Sequence, residues 1–499
     1  MKDLIKQTLK TKVYEVAKET PLHYAEKLSE GQNVSVYLKR EDLQVTHSFK
    51  LRGAYNKICN LSGSDKSKGI VTASAGNHAQ GVAFSANKLG IESTIVMPAT
   101  TPTIKVDAVK KLGGRVILTG DSYTDAYDHA IKIAAKSTAK FIHPFDDAQV
   151  IVGQGTIARE LLEQIPDVTH IFVPVGGGGL IAGIAQFIKT IDTRIKIIGV
   201  EPDDSNAMQR SLKEKKRVFL KHVGIFADGV AVKQVGKLTF NIARKYVDKI
   251  ITVNTDQICA AIKILFEDTR SIVEPAGALA VAGIQSYSFS NSKNAKAVAI
   301  CSGANMMFER LQQIAERTLI GSGKEALFSV RMPEKPGALE KYCEKVLNGR
   351  SITEFSYRLN KRSEAQILVG ISVVNDEDKR LFINKMKSNG YSHNDLSNDD
   401  ITKEHIRHMI GGLAPAAKNE YFYQVEFPER AGALIDFLSA LGNKLNISAF
   451  HYRSAASDTG NVLLAIETEN RKQLHRQLDK AGYNWQSINE NTALNVFIR

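Results

Sequence analysis

The chain has 499 residues, of which 43% are hydrophobic and 24% are charged, and its formal net charge is +13. This length exceeds what one hydrophobic core serves, so we expect two or three domains. The basic residues are spread along the chain without interleaved aromatics, which argues against a nucleic-acid-binding protein. The four cysteines form no Cys-x-x-Cys pair, and the first 20 residues contain no continuous apolar stretch. We therefore expect a cytoplasmic protein with neither a signal peptide nor a membrane span.

The first informative element in chain order is residues 48–53, Ser-Phe-Lys-Leu-Arg-Gly, ahead of a predicted helix over residues 51–58. Lys50 thus lies where a helix begins, and the positive end of the helix dipole disfavours protonation of its amine. A neutral lysine amine can form a Schiff base. Because a lone lysine is most often a solvated surface residue, this interpretation depends on the elements that follow.

From about residue 66 to 305, short apolar segments alternate with helical ones. The predicted strands are residues 69–73, 93–97, 116–119, 170–175, 196–200 and 297–301. This alternation predicts an α/β fold, a parallel sheet with helices on both faces. Ligands bind where loops leave the carboxyl ends of such strands. We therefore expect the loops after residues 73, 175 and 301 to meet at one edge of this sheet.

Two of these loops carry small polar residues. Residues 74–78 read Ser-Ala-Gly-Asn-His, and residues 302–305 read Ser-Gly-Ala-Asn. Each can be a turn that caps the next helix. Alternatively, the amide of Asn77 hydrogen-bonds the ring hydroxyl of a cofactor, and the hydroxyl of Ser302 faces a pyridine nitrogen.

The third loop contains four consecutive glycines, residues 176–179, followed by Leu180. Close approach of a ligand explains this run better than a plain turn, and successive backbone amides at a helix start bind phosphate. An amine at Lys50 and a phosphate cradle together suggest pyridoxal 5'-phosphate (PLP) as cofactor. The loop also fits the dinucleotide pattern Gly-x-Gly-x-x-Ala, with Glu201 about 20 residues further on, so a nicotinamide dehydrogenase is an alternative.

Beyond residues 321–324, which are predicted to form a linker, the chain repeats itself at an offset of 95 residues. The matches are residues 333–339 with 428–434, 352–358 with 447–453, and 367–371 with 462–466. Each copy predicts strand, helix, strand, strand, helix, strand, which is a ferredoxin-like unit. Because the matches keep one register over several elements, they indicate duplication of a small module.

Taken together, these motifs resemble those of the biosynthetic threonine deaminases (threonine ammonia-lyases), a family of fold-type-II PLP enzymes. The resemblance covers essentially the full chain, and it is carried by residues 48–53, 74–78, 176–180, 274–277 and 302–305. It implies an α/β catalytic domain over residues 1–320, with parallel and mixed sheets in two subdomains. The duplicated tail resembles the family's pair of ACT-like regulatory modules, which would occupy residues 321–412 and 413–499.

The resemblance also implies roles for individual residues. Lys50 and Ser302 would be catalytic, and Glu274 would be either a polar group near the cofactor ring or a capping carboxylate. The residues implied to bind the cofactor are Phe49, Lys50, Asn77, Gly176, Gly177, Gly178, Gly179, Leu180 and Ser302. Those implied to bind the substrate are Ser74, Ala75, Gly76 and His78.

The activity implied by the resemblance is β-elimination from L-threonine, which gives 2-oxobutanoate and ammonia and is the first committed step of isoleucine biosynthesis. Isoleucine would inhibit and valine would activate through the duplicated tail, and the chain would form a homotetramer. A serine dehydratase or another β-eliminating or β-replacing enzyme of the same fold is the main alternative. A non-enzymatic amino-acid sensor is a further one.

Two departures from relatives of this fold bear on the chemistry. Serine racemases carry a second serine at the position of Ala75, so we expect racemisation here to be poor. Some relatives bind a divalent cation with an acid six residues after a Glu-Pro pair. In this chain the residue six positions after Glu201 is Ala207, so no metal is predicted.

Overall fold

The computed structural model describes residues 2–30, 34–289, 294–333, 341–348, 350, 352–361, 364–408, 419–428, 437, 440–441, 446–453 and 459–498. The chain divides into two compact units, Met1–Phe308 and Glu309–Arg499. Each unit is described separately below as the first unit and the second unit.

The first unit alternates strands and helices. Its α-helices are α1 (Lys2–Leu9), α2 (Glu26–Ser29), α3 (Lys50–Cys59), α4 (Gly63–Ser67), α5 (Asn77–Lys88), α6 (Thr103–Lys111), α7 (Tyr123–Ser137), α8 (Ala148–Gln164), α9 (Gly179–Ile191), α10 (Ala207–Glu214), α11 (Lys237–Tyr246), α12 (Thr255–Thr269) and α13 (Pro275–Ser286). Its strands are β1 (Leu22–Tyr24), β2 (Val34–Arg40), β3 (Ile70–Ala73), β4 (Ser93–Met97), β5 (Arg115–Leu118), β6 (Lys140–Phe141), β7 (His170–Pro174), β8 (Lys196–Pro202), β9 (Lys249–Val253) and β10 (Ala295–Cys301). The strands predicted from the sequence are confirmed to within two residues.

These strands form two sheets. One has the order β1-β2-β10-β7-β8-β9, with β1 antiparallel to β2 and the other neighbours parallel, and the second has the order β5-β4-β3-β6 and is parallel throughout. The expectation of a single sheet was wrong. The reason is that β2 pairs with β10 from the far end of the unit, so β3–β6 assemble separately. The α/β class with two subdomains is confirmed.

The central strands of both sheets are buried on both faces. Every residue of β3 and of β7 is buried, which is why these strands read as continuous apolar segments and show no alternation. One core lies between the six-stranded sheet and α8 and α9, and a second lies between the four-stranded sheet and α3 and α5. Helices on the sheets thus fix the loops at the carboxyl ends of the strands.

The second unit begins with α14 (Arg310–Gly321). Its strands are β11 (Glu325–Pro333), β12 (Ile352–Lys361), β13 (Glu364–Ser372), β14 (Ser392–Asp395), β15 (Glu420–Pro428), β16 (Asn446–Arg453), β17 (Thr459–Glu467) and β18 (Trp485–Ser487). Its further α-helices are α15 (Asp376–Ser388), α16 (Asp400–Glu404), α17 (Arg471–Ala481) and α18 (Thr492–Phe497), and a π-helical turn spans Cys343–Leu347.

The duplication is visible in strand order and in register. The two antiparallel sheets have the orders β12-β13-β11-β14 and β16-β17-β15-β18. Phe328 pairs with Val369 in one sheet, and Tyr423, 95 residues later, pairs with Leu464 in the other. This order is that of a ferredoxin-like module. Most of the first helix predicted for the second copy lies outside the described residues.

Alternate residues of each sheet serve different cores. Phe328 and Val330 face the core of the first module, and Tyr423 and Val425 face that of the second. Side chains on the opposite faces, such as Leu327 and Phe422, share one core between the two modules. Within the described part of the chain, no helix has the length and apolar character needed to cross a membrane.

Candidate active site

Lys50 is the first residue of α3, as predicted. Its Nζ donates a hydrogen bond to the carbonyl oxygen of Pro144 at 3.0 Å and lies 5.3 Å from the centre of the Phe49 ring. Burial lowers the pKa of Lys50 to about 8, while the charge of Glu274 acts in the opposite direction. The amine is therefore poised to lose its proton near neutral pH, which nucleophilic lysines require.

Residues 74–78 connect β3 to α5. Gly76 is the N-cap of α5 and no side chain caps this helix; instead, the backbone N–H of Gly76 donates to Ser74 Oγ at 3.3 Å. The capping interpretation of this turn is therefore wrong. The amide of Asn77 is free to turn towards Glu274, to whose Oε1 its Nδ2 donates at 2.6 Å.

Glu274 precedes α13 and is 5% exposed, yet its carboxyl group does not cap that helix. Burial and the nearby charge of Asp228 raise its pKa to about 7, and the hydrogen bond from Asn77 opposes this rise. A Cβ added at Gly303 would meet both Glu274 Oε1 and Asn77 Nδ2. Only glycine leaves room for this polar pair.

Ser302 follows β10 and is buried. Its Oγ donates to the carbonyl oxygen of Ala276 at 3.2 Å, and its carbonyl oxygen accepts the backbone N–H of Phe49 at 3.1 Å. The helix-cap interpretation of Ser302 is wrong, because α14 begins only at Arg310. Ser302 is instead hydrogen-bonded through its backbone to Phe49, the residue that precedes Lys50.

The glycine loop joins β7 to α9. Gly178 has φ +93°, in the left-handed region that favours glycine, and is the N-cap of α9. A Cβ added at Gly177 would overlap the ring of Phe145, and one at Gly176 would lie 2.8 Å from Val230 Cα. The carbonyl oxygen of Gly177 is held by Thr239 Oγ1 at 2.7 Å. The loop is therefore a tightly held backbone cradle at the positive end of a helix.

These groups form a closed series of contacts, which we call the contact ring. Lys50 reaches Pro144, the neighbouring Phe145 packs against the glycine loop, the loop packs against Val230, and Gly229 lies beside Glu274. Glu274 binds Asn77, which accepts a hydrogen bond from Asn305 of the segment after Ser302. The ring joins the carboxyl ends of strands from both sheets.

The remaining predicted residues lie nearby in differing environments. His78 Nε2 lies 3.1 Å from the carbonyl oxygen of Ile142, and burial and the charge of Lys50 lower its pKa to about 3. The side chain of Leu180 is buried in the core, so only its backbone amide can face the loop. Ala75 is partly exposed in the turn before α5.

Glu201 has a structural role. Its carboxyl oxygens accept the backbone N–H groups of Met208 and Gln209, both at 2.8 Å, at the start of α10. Burial raises its pKa to about 8. No group of three or more His, Cys, Asp or Glu residues that could hold a metal ion is found in the described ranges.

Sequence reasoning missed Pro144, Phe145 and Asp146, which follow the short strand β6. Asp146 accepts the backbone N–H groups of Lys237 and Leu238, both at 2.8 Å, and so fixes the start of α11 beside the glycine loop. No local motif marks these residues. Their position after a strand of the parallel sheet is the one signal that could have found them.

The donor set fits PLP. The lysine amine of lowered pKa, the side-chain amide of Asn77, the buried hydroxyl of Ser302 and the backbone amides of the glycine loop are the kinds of group that can bind an aldehyde, a ring hydroxyl, a pyridine nitrogen and a phosphate.

Comparison with known proteins agrees with this chemistry. Residues 13–303 match the family model described as pyridoxal-phosphate dependent enzyme, and residues 316–406 and 412–498 each match the C-terminal regulatory domain of threonine dehydratase. The match over the glycine loop is thus to PLP enzymes, which speaks against the dinucleotide interpretation.

Relatives match along nearly the whole chain. A biosynthetic L-threonine dehydratase of Burkholderia multivorans is 46% identical over 99% of each chain, and that of Escherichia coli is 44% identical over 99% of this chain and 97% of its own. The structure of the processed form of threonine deaminase isoform 2 from Solanum lycopersicum superposes with TM-score 0.61 at 49% identity, covering 63% of this chain and 92% of that one. The chain therefore belongs to the biosynthetic threonine dehydratases, with a PLP-dependent enzyme unit followed by two regulatory modules.

Proposed function

We propose that the first unit deaminates L-threonine to 2-oxobutanoate and ammonia, with PLP held covalently by Lys50. The reaction removes the Cα proton and the β-hydroxyl as water, and a water molecule then releases ammonia. The observation that carries this assignment is the contact ring. In this ring the amine of Lys50, with a pKa of about 8, donates a hydrogen bond to Pro144. The next residue, Phe145, packs against the glycine loop.

In this proposal Lys50 has two tasks. Its Nζ binds the cofactor, and once the substrate amine has displaced it, the same nitrogen accepts the Cα proton. When bound, PLP stabilises the negative charge left on Cα. The lowered pKa of Lys50 supports both tasks, because each needs the neutral amine.

In this proposal, the other groups of the contact ring orient and hold the cofactor. The backbone amides of residues 176–180 would bind its phosphate, Asn77 would donate to its ring hydroxyl, and Ser302 would face its pyridine nitrogen. Phe49 packs beside Lys50. A serine hydroxyl is uncharged, so it leaves the pyridine nitrogen unprotonated and favours elimination over racemisation or transamination.

The turn before α5 is the proposed substrate site. The backbone and hydroxyl groups of residues 74–76 would receive the substrate carboxylate at the helix N-terminus, and His78 would line the site from α5. Ala75 offers no acid or base on the opposite face of the substrate. We therefore expect slow reprotonation of Cα on that opposite face, and so little racemisation.

The second unit is proposed to receive isoleucine as an inhibitor and valine as an activator, within an enzyme of the first committed step of isoleucine biosynthesis. Two regulatory modules with one register support the presence of related effector sites. We further propose a homotetramer in the cytoplasm, without a nucleic-acid or membrane partner.

The activity is tested by adding L-threonine or L-serine to the PLP-loaded protein and measuring the 2-oxo acid and ammonia. We expect one 2-oxobutanoate per ammonia, faster turnover of threonine than of serine, and lower rates with isoleucine that valine restores. Faster turnover of serine would favour a serine dehydratase. Absence of both products, with PLP bound, would refute the proposed reaction.

A further inference from the structure

The amide of Asn77 has two hydrogen-bonding partners of opposite kind. Asn305 Nδ2 donates to Asn77 Oδ1 at 2.7 Å, and Asn77 Nδ2 donates to Glu274 Oε1 at 2.6 Å. An asparagine side chain has an acceptor on one edge and donors on the other, so these contacts decide which way the amide points. Among the contacts of the described residues, one N–H of Asn77 is left for a further acceptor.

The orientation of the Asn77 amide depends on a third residue, Thr46, which contacts Asn305. Asn305 Nδ2 also donates to the backbone carbonyl oxygen of Thr46 at 2.9 Å. A backbone carbonyl can only accept, so the NH₂ edge of Asn305 has to face it. The same nitrogen faces Asn77, which has to present its oxygen. The carbonyl oxygen of Thr46 therefore fixes the orientation of the Asn305 amide, and Asn305 in turn fixes that of the Asn77 amide.

Glu274 opposes the reversed orientation. Its carboxyl group is buried, and in the ionised form it can only accept hydrogen bonds. A reversed Asn77 amide would place Oδ1 against this oxygen and leave the donor of Asn305 facing a second donor. Unmatched polar groups are costly in buried surroundings, and the tight fit around Gly303 leaves Glu274 and Asn77 little room to move.

We propose that Asn305 is a positioning residue that holds the Asn77 amide with its free N–H towards the cofactor's ring hydroxyl. This inference rests on the proposed function, which places that hydroxyl beside Asn77. A donated hydrogen bond stabilises the ionised hydroxyl. The reversed amide would instead point an oxygen at it, which would weaken cofactor binding and alter the absorbance of the bound cofactor.

The test is Asn305→Asp, which keeps the side-chain shape and removes the donor. The expected result without substrate is a PLP affinity lower by about tenfold or more, together with a shifted absorbance maximum of the bound cofactor. Asn305→Ala removes the contact without forcing the Asn77 amide to reverse, and it should lower the PLP affinity about threefold. The matched control is Asn254→Asp at the exposed N-cap of α12, where both residues cap equally well, and it should behave as wild type.

Asn77→Ala separates the inference from the function on which it rests. A wild-type affinity and absorbance maximum in Asn77→Ala would show that Asn77 does not touch the cofactor, which removes its proposed role. A loss in Asn77→Ala combined with wild-type values in Asn305→Asp would overturn the positioning role alone. If circular dichroism shows that Asn305→Asp is unfolded, wild-type affinity in Asn305→Ala would overturn it.

Discussion

Both units contain buried arginines paired with carboxylates, but among the described residues a buried lysine beside a glycine loop is found in the first unit. In the first unit, Lys50 and Glu274 lie in one contact ring, and burial moves their pKa values to about 8 and about 7. In the second unit, the buried Arg317 meets matched partners, Asp400 at 3.1 Å and Glu404 at 2.8 Å. A buried lysine whose pKa is lowered towards neutral pH is a candidate nucleophile, whereas an arginine held by two carboxylates stays charged. The comparison assigns the chemistry to the first unit.

The prediction with the largest expected effect removes the amine. Lys50→Ala should lower kcat by about a thousandfold or more, because it takes away both the cofactor linkage and the base. Steady-state rates with L-threonine measure this loss. Lys57→Ala, in the same helix and paired with Asp147 at 2.6 Å, is the matched control and should retain most of the activity. More than a tenth of wild-type kcat in Lys50→Ala would refute the assignment.

The second prediction adds a side-chain carbon to the glycine loop. Gly177→Ala places a Cβ in the Phe145 ring, so either the loop or the ring has to move. We expect PLP affinity to fall by about 5- to 150-fold, since overpacking of this kind costs about 1–3 kcal/mol. A fluorescence titration with PLP measures it. Gly63→Ala has no atom within 4 Å of the new Cβ and should bind as wild type. Equal affinities for both variants would contradict the cradle.

The third prediction concerns the second unit. Phe422 is fully buried in the core shared by the two modules, so Phe422→Ala should lower the free energy of unfolding of this unit by about 3–5 kcal/mol. Urea unfolding followed by circular dichroism measures the change. Val374→Ala, at a side chain that is 69% exposed, should stay within about 0.5 kcal/mol of wild type. An unchanged midpoint in Phe422→Ala would refute the shared core.

The smallest predicted effect is a pH dependence of the cofactor-free protein. The pKa of Lys50 is 10.5 in its ordinary state and about 8 in the fold. Between these values the unfolded chain binds a proton that the folded chain has released, so stability rises with pH. Below pH 8 both states are protonated and the penalty is constant. We expect a rise of about 2 kcal/mol, reduced because Lys50 is partly exposed. Lys50→Met should lack it in urea unfolding from pH 7 to 11, and an identical rise in both proteins would contradict the assigned pKa.

Much of the fold could be predicted because it depends on local pattern. Apolar strands such as β3 and β7 and the 95-residue repeat are visible in the sequence. Asn77, the glycine loop and Ser302 were proposed from where strands end, and Lys50 from its place at the start of a helix. The division into two sheets could not be predicted. It depends on the pairing of β2 with β10, which joins residues more than 250 positions apart.

The part of the site that was missed has the same origin. Pro144, Phe145 and Val230 reach the ring through loops that carry no motif, and the role of Asn305 depends on the direction of a hydrogen bond to Thr46. Such contacts are set by tertiary packing. The sequence therefore indicated which chemical groups the site contains, and the structure was needed to assign their partners.

The central claim is that the cofactor is bound to Lys50 within the contact ring, and labelling tests it most directly. The PLP-loaded protein is treated with borohydride, which makes the lysine linkage permanent, then digested and analysed by mass spectrometry. We predict the phosphopyridoxyl group on the peptide that contains Lys50, at about one group per chain, and its loss in Lys50→Ala. Labelling at another lysine in the wild-type protein, or no label after PLP is bound, would contradict the account.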